Sequence, residues 1–142
     1  MRIIGLMTGI LLLALGFLWG GRPGNMFDLP SLVIVFLVPI SFTLMGHGND
    51  LWRALMVAFL HRPVETQTCL RYIKVLGTLR HTLFWTGFVA ALIGAISMSS
   101  AMDSWEHFGP AFAVLLLTPF YGIVMAELII APMINRLEAE YL

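Results

Sequence analysis

Four long apolar stretches alternate with more polar segments, and their lengths predict four membrane-spanning helices. They run approximately over residues 3–19, 29–46, 83–102 and 111–133. A helix needs about 20 mostly apolar residues to cross the hydrocarbon core of a bilayer. The strict alternation of apolar and polar residues that a barrel strand requires is missing. The pattern therefore predicts an all-α, polytopic membrane protein.

The segment between the second and third stretches, residues 47–82, also has a helical pattern. Asn49 and Asp50 can cap a short amphipathic helix, and Pro63 suits the first position of another. From there apolar residues recur at three- and four-residue spacing, at Cys69, Ile73, Leu76, Leu79 and Leu83. This stripe predicts that the third membrane helix extends without a break out of the membrane.

Composition supports the membrane assignment, because 59% hydrophobic and only 11% charged residues are not typical of a soluble domain. Nothing in the charge pattern indicates nucleic acid as a partner. The N-terminus has the outline of a signal peptide, with Arg2 before an apolar core. That core continues to Trp19 without a small-residue cleavage pattern, so we interpret it as a retained anchor within a single membrane domain, residues 1–142.

The basic residues predict the orientation. Five of the eight lie between the second and third stretches, Arg2 precedes the first, Arg136 follows the fourth, and Arg22 alone lies on the opposite side. Loops rich in Lys and Arg stay in the cytoplasm. Both termini and residues 47–82 are therefore predicted to be cytoplasmic.

Small residues line one face of each of the last two predicted spans. On the third they are Gly87, Ala91, Gly94, Ala95 and Ser99, and on the fourth Thr118, Gly122 and Ala126 recur every four residues. Such ridges allow membrane helices to approach closely, either within one chain or between copies. Because one chain directs so few polar residues inward, an ion pathway would have to be shared by several chains.

Three segments resemble the MotA/TolQ/ExbB proton-channel family, and specifically its MotA branch. "GPAFAVLLLTPFYGIVMAELIIAPMINRLE" (residues 109–138) resembles the last membrane helix, and "AALIGAISM" (residues 90–98) resembles the pore helix before it. "FDLPSLVIV" (residues 27–35) is similar to the Asp-Ile-Pro-Ser-Leu that opens the second span of flagellar stator proteins. Together the segments keep the family's order and topology.

The resemblance implies a homopentamer in the bacterial inner membrane. Its third and fourth helices would surround the single membrane helix of a MotB/ExbD-like partner, and ion flow would drive relative rotation. The pore-lining candidates are then Ala91, Gly94, Thr118, Pro119 and Gly122. The helix-packing candidates are Gly87, Ala95 and Ala126. Besides other copies of the chain and the single-span partner, the membrane helices are expected to contact lipids.

The chain also departs from the family. Stator pore helices usually carry a threonine on each of the last two spans, and the equivalent positions here are Ala91 and Pro119, with Thr118 one residue earlier. Pro119 lacks a backbone donor and should free a carbonyl near Leu115. The large cytoplasmic domain of flagellar stators is replaced by residues 47–82. A non-conducting ring or scaffold of the same fold is therefore the alternative function.

Glu127 is the ionisable residue inside the fourth stretch, which makes it a candidate functional residue. It lies five residues before Pro132, within reach of the cytoplasmic interface. Two interpretations are open. The carboxylate is either a proton acceptor at the inner mouth of a pore, or a headgroup-level group that pairs with Arg80 or Arg136 at a subunit contact.

The sequence does not favour an enzyme. Several titratable residues fall in or beside residues 47–82, namely His47, Asp50, His61, Glu65 and His81. Their spacing matches no metal-ligand or catalytic signature, and we predict no metal site or cofactor. The single cysteine, Cys69, is interpreted as a small packing residue.

Overall fold

The computed structural model describes residues 8–9, 11, 14–16, 28–60, 63–101 and 108–141, and the regular structure in this part of the chain is helical. We number the helices α1 (Leu29–His47), α2 (Asp50–Leu60), α3 (Thr66–Ala101), α4 (Phe108–Val124) and α5 (Ala131–Tyr141). A π-helical turn, Met125–Ile130, joins α4 to α5 without a break. The all-α prediction is confirmed.

Three helical stretches are long and apolar enough to cross a membrane: Leu29–His47, Thr66–Ser99 and Ala111–Glu140. The first and last of these stretches contain the predicted second and fourth spans, and the middle one contains residues 83–99 of the predicted third span. The first predicted span and the retained anchor lie mostly outside the described residues. A four-span topology therefore stays a prediction.

Helix α1 begins with a polar cap that its sequence encodes. The Asp28 carboxylate accepts a hydrogen bond from the backbone N–H of Ser31 at 3.1 Å and another from the Ser31 hydroxyl. Pro30 stands in the first turn, where a missing N–H costs nothing. The backbone N–H of Asp28 also donates to the Tyr121 hydroxyl at 3.4 Å. The Asp-Leu-Pro-Ser motif thus starts α1 and also links it to α4.

A tight turn at Gly48 separates α1 from α2. Gly48 has a φ of 54°, a conformation that glycine adopts without steric cost, and its N–H donates to the Leu44 carbonyl at 2.7 Å. The predicted short helix is present as α2. Asp50, predicted to cap it, is instead its first helical residue, and its carboxylate pairs with Arg71 at 2.5 Å. The side chain of Arg71 is long enough for its guanidinium to extend from α3 to the Asp50 carboxylate.

Helix α3 is the central element. It runs for 36 residues without interruption, as its apolar stripe predicts, and is therefore about 54 Å long. It packs against α1, α2, α4, the π-helical turn and α5.

The buried apolar side chains are concentrated at one end of the molecule, where α2 and α5 pack against the first half of α3. We call this cluster the basal core, and its fully or nearly fully buried members include Leu51, Ala54, Cys69, Val75, Leu76, Ala126, Ile130 and Leu137. The thiol of Cys69 lies 3.9 Å from the Leu137 carbonyl oxygen. Cys69 therefore packs as a small core residue.

The other half of α3 is covered much less. We call residues 85–99 the upper segment of α3. Its large apolar side chains are exposed, namely Trp85, Phe88, Val89, Leu92, Ile93 and Ile96. A soluble monomer rarely exposes so continuous an apolar surface, which is instead typical of a helix in contact with lipid or another protein.

Candidate functional site

The closest approach between α3 and α4 occurs at two glycines. A Cβ atom on Gly122 would lie 2.7 Å from the Leu83 carbonyl oxygen and 3.3 Å from the Cα of Gly87. A Cβ atom on Gly87 would lie 3.0 Å from both the Cα of Pro119 and the carbonyl oxygen of Thr118. The two backbones are in contact, and side chains larger than hydrogen do not fit. The small-residue ridges thus pack against each other within one chain.

The remaining small-residue candidates fall into two groups. Thr118 and Ala126 are buried along with Gly122, whereas Ala91, Gly94, Ala95 and Pro119 are half-buried. A Cβ atom on Gly94 would meet no atom of the described residues within 4 Å. Open space therefore begins on the small-residue face of α3 above the Gly87 contact. That some of these residues line a pore stays a prediction.

Thr118 and Pro119 form a local hydrogen-bonding unit. Because Pro119 has no N–H, the Leu115 carbonyl loses its usual helical donor four residues later. The Thr118 hydroxyl donates to that carbonyl at 3.0 Å. The carbonyl that Pro119 frees is thus satisfied by the neighbouring side chain, which lowers the cost of a proline inside an apolar helix.

Glu127 lies on the exposed side of its helix and pairs with Arg80 of α3. Arg80 Nε donates to Oε1 at 3.1 Å, and Nη2 donates to Oε1 at 2.8 Å and to Oε2 at 2.7 Å. The side chains are 42% (Arg80) and 46% (Glu127) exposed. Arg136 instead approaches the Ala58 carbonyl oxygen, 3.4 Å from its Nη1. Of the two partners left open by the sequence, Arg80 forms the ion pair within the chain.

Glu127 is located on an irregular turn that the apolar pattern of the sequence did not predict. Glu127 belongs to the π-helical turn, in which the N–H of Ala131 bonds to the carbonyl of Ala126, five residues earlier. Pro132 follows directly, and its ring would clash with the carbonyl four residues before it in a regular helix. A widened turn relieves that clash. Pro132 was the available signal for it.

The residues weighed for catalysis have separate partners. His47 Nε2 lies 3.1 Å from the Thr78 hydroxyl, Asp50 pairs with Arg71, and Trp85 Nε1 donates to His81 Nε2 at 2.9 Å. Glu65 is exposed. His61 lies outside the described residues. Within the described ranges, no three His, Cys, Asp or Glu side chains gather closely enough to hold a metal ion.

Comparison with known proteins identifies a motility protein and a chemotaxis protein as relatives. Over 52 residues the chain is 48% identical to Motility protein A of Cereibacter sphaeroides, a match covering 37% of this chain and 21% of that protein. Over 51 residues it is 37% identical to Chemotaxis protein PomA of Vibrio alginolyticus, covering 36% of this chain and 20% of that protein. The matched segment spans about a fifth of each relative's length. No family model matches.

These matches confirm the predicted resemblance to the MotA branch over about a third of the chain. Together with the three long apolar helices, they identify a membrane protein similar to stator subunits.

Proposed function

We propose that this protein is the ring-forming subunit of a stator-like, proton-conducting complex in the bacterial inner membrane. The 48% identity to Motility protein A is the observation that carries the proposal. In this complex, ion flow past the ring is coupled to mechanical work. The described helices support it because three of them have the length and apolarity of membrane spans.

In the proposed assembly, several copies, by resemblance five, surround the membrane helix of a single-span MotB/ExbD-like partner. Residues 1–142 contribute one membrane domain with four spans, and both termini and residues 47–82 face the cytoplasm. Support comes from the upper segment of α3, where Ala91, Gly94 and Ala95 are only half-buried beside exposed large apolar side chains. A helix from another chain could approach closely there.

The ion pathway in this proposal uses few polar groups. Ala91, Gly94, Thr118, Pro119 and Gly122 are its proposed lining, and the essential mid-membrane carboxylate belongs to the partner. Thr118 and Gly122 contact α3 in the single chain, so the pathway must run along the edge of the α3–α4 crossing. Glu127 is proposed to lie at the inner end, where its pair with Arg80 stabilises the inner mouth or a subunit contact.

A non-conducting ring of the same fold is the second candidate. One observation favours it: the hydroxyl of Thr118, the nearest candidate to the missing threonines, is bound to the Leu115 carbonyl. With its proton held by that carbonyl, the hydroxyl cannot also donate a hydrogen bond to water in a pore. In this version the ring serves only as a scaffold for its partner.

Proton flux into liposomes separates the two candidates. We expect the protein alone to be closed, and to leak protons when reconstituted with its single-span partner, as measured with an internal pH-sensitive dye. Thr118→Val should reduce the leak more than Glu127→Gln, because Thr118 lies deeper in the apolar stretch. Thr118→Ser, which keeps the hydroxyl, is the matched control.

The scaffold candidate expects no leak in either preparation. A steady proton flux through the protein without any partner would contradict both candidates.

A further inference from the structure

Helix α2 is apolar on two opposite faces. Its buried face consists of Leu51, Ala54, Val57 and Ala58 and belongs to the basal core. On the opposite side Trp52, Met56 and Leu60 form a ridge with four-residue spacing, and they are 52%, 56% and 59% exposed. A helix with apolar residues all round is normally covered on both sides. The described part of the chain covers only one side of α2.

The contacts at the two ends of α2 place it across α3. At its start, Asp50 pairs with Arg71. Near its end, the Ala58 carbonyl accepts a hydrogen bond from Arg136 of α5. Leu137 follows Arg136 in α5, and its carbonyl lies against Cys69 of α3, which is two positions from Arg71. Both ends of α2 therefore lie near one level of α3.

That level is close to the end of a membrane span. His47, the last residue of α1, bonds to Thr78, which is seven residues from Arg71 along α3. Seven residues of helix span about 10 Å. Helix α2 thus crosses α3 about 10 Å beyond the end of α1, near the outer edge of a headgroup layer that is about 5–8 Å thick.

We propose that the Trp52–Met56–Leu60 ridge binds the surface of the bilayer, among the headgroups of anionic phospholipids. Tryptophan is enriched at this depth because its ring is apolar and its N–H is polar. Arg53 is exposed beside the ridge, and the acidic residue of α2, Asp50, is neutralised by Arg71. The exposed Lys74 on α3 adds positive charge near the same level. Apolar side chains flanked by cations are the pattern of an interfacial helix.

Lipid binding by the ridge requires that the protein is inserted in a membrane, but it requires neither a ring nor ion conduction. The ridge proposal can therefore fail while the proposed stator function holds, and the reverse. The test uses the full chain in vesicles containing phosphatidylglycerol. A fluorophore is attached to a single cysteine replacing Met56, in a Cys69→Ala background whose helicity is checked by circular dichroism. The matched control carries the fluorophore at exposed Glu65. Phospholipids with brominated acyl chains report lipid contact, and aqueous iodide reports water contact.

We expect brominated lipid to quench the Met56 probe about twofold or more relative to the Glu65 probe, and iodide to quench it less. A probe at Leu60 on the same ridge should behave as the Met56 probe does. Arg53→Glu should weaken the lipid quenching in anionic vesicles.

Three results would overturn the proposal. The ridge probes could respond to both quenchers as the Glu65 probe does, which means that the ridge faces water. They could resist both quenchers while Met56→Cys chains crosslink to one another, which means that a second copy covers the ridge. Equal lipid quenching in anionic vesicles with and without Arg53→Glu would contradict binding among anionic headgroups.

Discussion

The two halves of α3 are built for different surroundings. In the first half Leu76 is completely buried, and α2 and α5 enclose it. In the upper segment Leu92 is 64% exposed although it is the same residue type on the same helix. The described part of the chain therefore folds around a core at one end, much as a soluble protein does, and leaves the upper segment largely uncovered, as is typical of a surface that contacts lipid or protein. Association surfaces should be sought in the upper segment and not in the basal core.

The sharpest test of this comparison sets the Gly87–Gly122 contact between α3 and α4 against Gly94, which lies further up α3. Gly122→Leu places a side chain where even a Cβ atom would lie 2.7 Å from the Leu83 backbone and close to Gly87. We expect a loss of about 3 kcal/mol or more, at the upper end of overpacking penalties, and poor recovery of folded protein. Thermal unfolding in detergent, followed by circular dichroism, measures it.

Gly94→Leu is the matched control, since in the part of the chain that the structure describes no atom lies within 4 Å of a Cβ at Gly94. It should leave the unfolding of the isolated chain unchanged and reduce association with other chains. If Gly122→Leu and Gly94→Leu unfolded alike, the proposed difference between the two levels of α3 would be wrong.

Leucine truncation tests the two halves directly. Leu76→Ala removes a fully buried side chain and should cost about 2–5 kcal/mol of unfolding free energy. Leu92→Ala should change that free energy by less than about 0.5 kcal/mol in the isolated chain, because its side chain contacts little of it. Reversible unfolding in mixed detergent micelles gives both numbers. Equal costs would show that the basal core does not dominate stability.

The Arg80–Glu127 pair lies near the boundary between the halves, and the smallest effect is expected there. Because both side chains are nearly half exposed, Glu127→Gln should cost at most about 1 kcal/mol, and less in high salt. A double-mutant cycle with Arg80→Met isolates the pairwise energy. Glu138→Gln, at an exposed position of α5, is the control. A cost of several kcal/mol would instead indicate that the pair is shielded from water in the membrane.

Much of the fold could be predicted from local patterns of apolar residues in the sequence. The lengths of the apolar stretches predicted the three long helices, and the stripe from Cys69 to Leu83 predicted the unbroken α3. These features depend on residues a few positions apart, because helical periodicity and hydrophobic length are local properties. The resemblance to the MotA branch was also available from short motifs, since these are contiguous.

Only the tertiary structure decided which surfaces meet. The sequence placed small residues on two helices, but the crossing angle and register determine that Gly87 meets Gly122 inside one chain, while no other described residue packs closely against Gly94. It left Glu127 with two possible cations, and the packing of α3 against the π-helical turn selects Arg80. Asp50 was predicted to cap α2, but its carboxylate forms an ion pair with Arg71, which is distant in sequence. Partner choice depends on distances between residues far apart in the chain, and a periodic pattern carries no information on those distances until the helices are packed.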